Sequence, residues 1–198
     1  FSGKAVNHWE LFEEDFQLAN ELGHNAHRFS IEWAKIEPHE GQVDYNAVNH
    51  YKKVFQSLKQ NNLTPFTTLF HFSLPQWFTQ KGGFEKKENL RFFINYCKFI
   101  GTTFREELTY IITINEPEIY SYHSYLIKKW PPQKGSYFSF NKVMKHLTIA
   151  HNLAYDALKA IKPEFQISMA KNNQVFKADR PYNPLDCLLA TLLKYKWN

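Results

Sequence analysis

Cysteine is almost absent from this chain: Cys97 and Cys187 are the two in 198 residues. They form no C-x-x-C pair and no metal-ligand spacing, so neither a disulfide framework nor a cysteine-built metal centre organises the fold. Both lie in apolar, helix-like surroundings and read as buried free thiols. Glycine is scarce as well, at seven residues. There is no G-x-G-x-x-G and no P-loop, the usual phosphate cradles of nucleotide-binding sheets. No apolar run approaches the ~20 residues that a membrane span needs, and no signal peptide is visible at Phe1, so a cytoplasmic protein is the expectation. Nor is charge of one sign concentrated anywhere. The net charge is +5, but Lys52-Lys53, Lys86-Lys87 and Lys128-Lys129 are short and scattered. They read as solvated faces, not as a nucleic-acid-binding stripe.

Aromatic residues are plentiful, with 18 Phe, 11 Tyr and 5 Trp. Most of the Phe belongs to a core, while a few Trp and Tyr suit a cleft in which aromatic faces stack on sugar rings. Apolar residues at helical spacing predict a helix from Trp9 to Leu22, stopped by Gly23. A strand follows from His24 to Ile31. Asp44 is placed to cap a helix through Val48, Tyr51, Phe55 and Leu58. Thr64 to Phe70 reads as the next strand, with His71 at its end. A long loop with Trp77 and Gly82-Gly83 leads to a helix presenting Phe92, Tyr96, Phe99 and Ile100. Tyr110 to Ile114 is a third strand. A helix from about Lys142 to Ile161 ends at Lys162-Pro163, and Gln166 to Ala170 is a fourth strand. Asn183-Pro184 then opens a last helix.

Strict alternation of helix and strand argues for parallel βαβ units. Loops after strands are long and rich in functional residue types, while those before strands are short. That asymmetry belongs to a (β/α)8 TIM barrel, whose working face lies at the strand C-termini. The fold class is therefore α/β. The chain reads as a partial barrel with about four of the eight parallel strands. On this reading residues 1–198 form one domain, running roughly from a first helix through the fifth strand and the start of the next helix. An interior half of a barrel exposes two unpaired strand edges. Its expected partners are the missing half or another copy, with no membrane and no nucleic acid.

The stretch of most chemical interest is Tyr110-Ile-Ile-Thr-Ile-Asn-Glu-Pro-Glu118. Its apolar run lacks alternation and predicts a strand buried on both faces. Polarity arrives abruptly at Asn115 and Glu116, and Pro117 stops the ladder because it has no N–H to donate. A carboxyl held at a strand mouth suits general acid catalysis. Retaining glycoside cleavage uses one protonated carboxyl and one ionised carboxylate about 5–5.5 Å apart. The same position also suits a Glu that caps a loop or pairs with an Arg.

Thr113-Ile-Asn-Glu-Pro117 resembles the acid/base signature of family 1 glycoside hydrolases, the β-glucosidase family. Arg28-Phe-Ser-Ile-Glu-Trp-Ala-Lys-Ile-Glu-Pro38 resembles the family's second-strand segment, and Thr67-Thr-Leu-Phe-His-Phe-Ser-Leu-Pro75 its third. Gly82-Gly83-Phe84 resembles the Gly-Gly-Trp that follows. The resemblance implies that Glu116 is the acid/base and that Asn115 and His71 bind glycone hydroxyls. Arg28 would support the nucleophile, Trp77 and Asn172 would line the aglycone side, and Trp33 would pack near the site. It implies a β-linked glucoside or galactoside as substrate and no cofactor or metal. Where the family often has Trp-Asp, this chain has Phe72-Ser73. The family's nucleophile segment, Thr-Glu-Asn-Gly, does not occur in these 198 residues, so the nucleophile is expected outside them and the segment alone is expected to be inactive. The alternatives are a non-catalytic sugar-binding or assembly half-barrel, and a 6-phospho-β-glycosidase.

Overall fold

The computed structural model describes residues 5–197. Four strands form one parallel sheet: β1 (Ala26–Ser30), β2 (Thr64–Phe70), β3 (Tyr110–Asn115) and β4 (Gln166–Ala170), ordered β1-β2-β3-β4. The helices are α1 (His8–Glu21), α2 (Trp33–Ile36), α3 (Tyr45–Gln60), α4 (Gln76–Gln80), α5 (Leu90–Thr103), α6 (Pro117–Ser121), α7 (Tyr137–Ile161) and α8 (Pro184–Trp197). The four strands, the five long helices and their alternation match the sequence reading.

Local chemistry explains the boundaries. At the end of α1, Gly23 takes φ +81. Its N–H reaches Asn20 O, and the His24 N–H reaches Ala19 O, so the last carbonyls of the helix are satisfied. Asp44 caps α3 by accepting the Asn46 N–H at 2.8 Å. Asn183 does the same for α8 through the Leu185 N–H at 3.0 Å, with Pro184 in first position. The first strand begins at Ala26, two residues later than expected, because His24 and Asn25 are still completing the turn out of α1. The long helix begins at Tyr137, five residues before Lys142, since the Ser136 hydroxyl oxygen accepts the Ser139 N–H and caps it there. Three stretches expected as loop after strands hold short helices: α2, α4, and α6 with the π-turn Tyr122–Leu126 that follows it. Each is too short to show a periodicity.

The two sheet faces differ. In register, Arg28 lies beside Phe66, Phe66 beside Tyr110, and Tyr110 beside Gln166. Side chains alternate along a strand, so the neighbouring row is Phe29, Thr67, Ile111 and Ile167. Thr67, Ile111 and Thr113 are buried, with α3 against β2 and α7 against β3 and β4. The Arg28 row is open, with Arg28, Gln166 and Ser168 exposed and Tyr110 exposed by 37%. The expectation that the Tyr110 strand is buried on both faces therefore holds toward its C-terminal end, where Thr113 and Ile114 are both buried, and fails at its start, where Tyr110 is exposed and Ile112 half-buried. Ile112 and Tyr110 are apolar because they face the concave side of the curving sheet, which these four strands alone leave uncovered at that end.

The core is aromatic. Phe16, Phe78, Phe84, Phe93 and Phe104 have no exposed surface. Trp33 stacks on Tyr96 with ring centroids 5.0 Å apart. Cys97 is buried among them, as expected. Cys187 is only half-buried, its Sγ donating to Pro181 O at 3.2 Å, because α8 is little covered, with Leu185, Leu188, Leu189 and Leu192 also exposed.

Candidate active site at the strand mouths

The C-terminal ends of the four strands bring polar side chains to one place. Arg28, near the end of β1, donates through Nη2 to Asn115 Oδ1 at 2.5 Å and through Nε to Thr68 Oγ1 at 3.1 Å. The planar guanidinium forks across β2 and ties β1 to the tip of β3. The β3–β4 register slips between Ile112 and Asn115, so Asn115 departs from simple alternation and its amide meets Arg28.

Glu116 comes next. Its backbone is left-handed, with φ 42 and ψ 64. The following Pro117 disfavours ordinary helical geometry at this position, and a non-glycine residue there is strained. Its N–H donates to Ala170 O at 2.7 Å, anchoring it to the end of β4. The side chain, half-buried, accepts at Oε1 from Asn172 Nδ2 at 3.3 Å. Asn172 also gives its backbone N–H to Glu118 Oε1.

His71 stands just past β2, with Nδ1 3.0 Å from Ser30 Oγ. Burial pushes its pKa below the usual histidine value and Arg28 adds to this, against Glu116 and Glu32, which raise it. The balance favours the neutral ring. Phe72 follows in a second left-handed backbone, φ 72, its ring 5.0 Å from Trp130, which stacks on His123. Glu32 accepts the Ser73 hydroxyl at 2.6 Å, and its backbone N–H donates to the Tyr51 hydroxyl at 2.8 Å.

Arg28, His71, Asn115, Glu116 and Asn172 thus belong to one group at the mouth. Trp77 does not join it by any hydrogen bond or ring contact recorded among the described residues. Its indole N–H donates to Glu37 O at 2.9 Å and its ring packs edge-on against Trp33. Trp33 itself is buried, as expected of a packing residue. Three contributors went unassigned in the sequence. Thr68 and Ser30 lie inside strands, where their hydroxyls carry no pattern. Glu118 offered one signal, a second carboxyl two residues past the first.

Comparison with known proteins gives the family. The Glycosyl hydrolase family 1 model matches residues 2–192. The chain belongs to glycosyl hydrolase family 1. It is 30% identical to the human cytosolic beta-glucosidase over 174 residues, covering 84% of this chain and 37% of that protein. It is 32% identical to a 6-phospho-beta-galactosidase of Leptotrichia buccalis over 192 residues, covering 95% of this chain and 40% of the relative. The solved beta-glycosidase from Pyrococcus horikoshii superposes with a TM-score of 0.91 at 35% identity, covering 97% of this chain and 44% of that one. The chain therefore spans well under half the length of the relatives it matches. Its four parallel strands and their helices correspond to part of a TIM-barrel glycosidase.

Proposed function

We propose that the protein bearing this family 1 segment is a retaining β-glycosidase acting on β-linked glucosides or galactosides, with Glu116 as acid/base. The observation that carries the reading is the placement of Glu116. It is a carboxyl in a strained strand-end backbone, tied to β4 and Asn172, beside an amide oriented by Arg28. The 198 residues are read as one domain segment of the barrel.

In the first step the Glu116 carboxyl gives its proton to the glycosidic oxygen as the bond from that oxygen to the anomeric carbon breaks. A carboxylate outside these residues bonds to the anomeric carbon and forms the glycosyl–enzyme intermediate. Glu116, now ionised, takes a proton from water, whose oxygen displaces the enzyme carboxylate and releases the sugar. Arg28 holds Asn115 Oδ1, so the Asn115 Nδ2 is the group presented to a sugar hydroxyl. Arg28 also supplies the positive charge that supports the nucleophile carboxylate. With Nδ1 of His71 beside Ser30, its Nε2 serves a second hydroxyl. The edges and concave face of the sheet take the rest of the barrel as partner. The cytosolic relative supports a cytoplasmic location.

The test is Glu116→Gln in the full-length protein. Hydrolysis of an alkyl β-glucoside, a poor leaving group, falls by about 10²–10⁴-fold, the usual worth of general acid catalysis. First-step cleavage of 2,4-dinitrophenyl β-glucoside, whose leaving group needs no proton, falls far less. Equal losses on both substrates would sink the assignment. The Leptotrichia relative motivates a second reading, a 6-phospho-β-glycosidase. A clear preference for 4-nitrophenyl 6-phospho-β-galactoside over the unphosphorylated compound would favour it.

A further inference from the structure

Glu118 is a buried carboxyl that this mechanism does not use. It is 3% exposed, in the first turn of α6. A first-turn Glu ordinarily faces solvent or the free N–H groups of its own helix. Here the side chain turns inward instead. Oε1 accepts the Asn172 backbone N–H, and Oε2 is buried with no hydrogen-bond partner among the described residues. Leaving a carboxyl oxygen unsatisfied in the interior costs stability, so its inward placement calls for a reason other than packing.

Asn172 supplies one. The strand β4 ends at Ala170, and no regular structure resumes until Pro184. Past Ala170, therefore, no sheet ladder receives the Asn172 N–H. Glu118 receives it. The contacts close into a ring between two adjacent strand ends. The Glu116 N–H donates to Ala170 O at 2.7 Å, Asn172 N–H donates to Glu118, and Asn172 Nδ2 donates to Glu116 Oε1 at 3.3 Å. That last bond is long. A further displacement of a few tenths of an ångström would break it.

We propose that Glu118 is a positioning residue for Glu116. By anchoring the Asn172 backbone it sets the Asn172 amide against Glu116 Oε1, and this fixes the orientation of the acid/base carboxyl. The inference rests on the acid/base reading of Glu116. It extends that reading to a residue that touches neither substrate nor the reacting atoms.

Burial holds the Glu118 pKa above the usual carboxyl value. Its own backbone N–H, the Asn172 N–H and Lys171 work against this, and Glu116 adds to it. A protonated Glu118 still accepts the Asn172 N–H through its carbonyl oxygen, so the anchor does not depend on charge. A glutamine retains that oxygen. An apolar residue of similar size does not.

The experiment uses the full-length protein and four variants: Glu118→Leu, Glu118→Gln, Glu116→Gln and Glu116→Gln with Glu118→Leu. Each is assayed on an alkyl β-glucoside and on 2,4-dinitrophenyl β-glucoside. With the alkyl substrate, Glu118→Leu lowers kcat on the order of 10- to 100-fold with little change in KM, as misplacement of a catalytic group does. The loss shrinks on the dinitrophenyl substrate, Glu118→Gln restores most of it, and Glu118→Leu costs nothing further once Glu116 is Gln. Should Glu118→Leu fail to fold, Glu118→Ala, which also lacks the accepting oxygen, carries the same test and the same leaving-group signature. Full activity in Glu118→Leu would overturn the inference. So would a loss equal on both substrates that persists in the Glu116→Gln background. A Glu116→Gln variant that shows no leaving-group dependence would instead remove the acid/base reading itself.

Discussion

Arg28 and Glu116 show how single residues at strand ends are fixed before any substrate arrives. Arg28 spends two donors on Asn115 and Thr68. Lysine keeps the charge but not the fork. We therefore expect Arg28→Lys to lower kcat/KM of the full-length protein by roughly 10²-fold, the scale of a displacement of about 1 Å in a site, while its melting temperature shifts little. A loss of folding with no separate catalytic effect would make Arg28 a structural tie only. The candidate residues were legible because Asn115, Glu116 and His71 follow apolar runs that end abruptly. Their support was not. Nothing in the sequence shows that Thr68 faces Arg28, since that contact comes from strand pairing between residues 40 positions apart. The left-handed backbones of Glu116 and Phe72 were likewise hidden, because neither residue is glycine.

Elements with full periodicity were legible from the chain, and those shorter than two turns were not. The packing of α5 against α7 adds a constraint that periodicity does not record. A Cβ at Gly101 would meet Leu158 Cδ2 at 2.6 Å and Ile161 Cδ1 at 3.2 Å, with Leu158 wholly buried. Alanine would gain up to ~1 kcal/mol in helix propensity. Overpacking costs about 1–3 kcal/mol, so Gly101→Ala is expected to destabilise the protein, read as a lower urea midpoint at unchanged slope. A raised midpoint would mean that α5 and α7 are free to move apart. At the other end of α5, the start was obscured by the two 3₁₀ turns Gly83–Glu85 and Lys87–Asn89 that precede it. Their i, i+3 spacing resembles the helix they feed into.

At the scale of the molecule, half-buried histidines give stability a pH dependence. Burial is the leading cause that lowers the pKa of His27, His50, His71 and His151. The unfolded chain then binds protons that the folded chain does not. Stability is full above the unfolded value of about 6.5 and is lost as pH falls from there toward the folded values. Urea midpoints at pH 7.5 and 5.5 check this, with the lower midpoint expected at 5.5. An unchanged or higher value would contradict it.

The parallel sheet was legible in the alternation of elements, but the open part of its concave face around Tyr110 was not, because an apolar run reads the same whether one face or two are covered. That face bears on the central claim that Glu116 serves a glycosidase whose nucleophile lies outside these residues. The most direct measurement is β-glucosidase turnover by this 198-residue chain alone, and by a chimera in which it replaces the matching segment of the Pyrococcus horikoshii beta-glycosidase. The account predicts no turnover by the chain alone, and activity in the chimera that Glu116→Gln removes on alkyl glucosides. Turnover by the chain alone, or a folded chimera that is active regardless of Glu116, would contradict it.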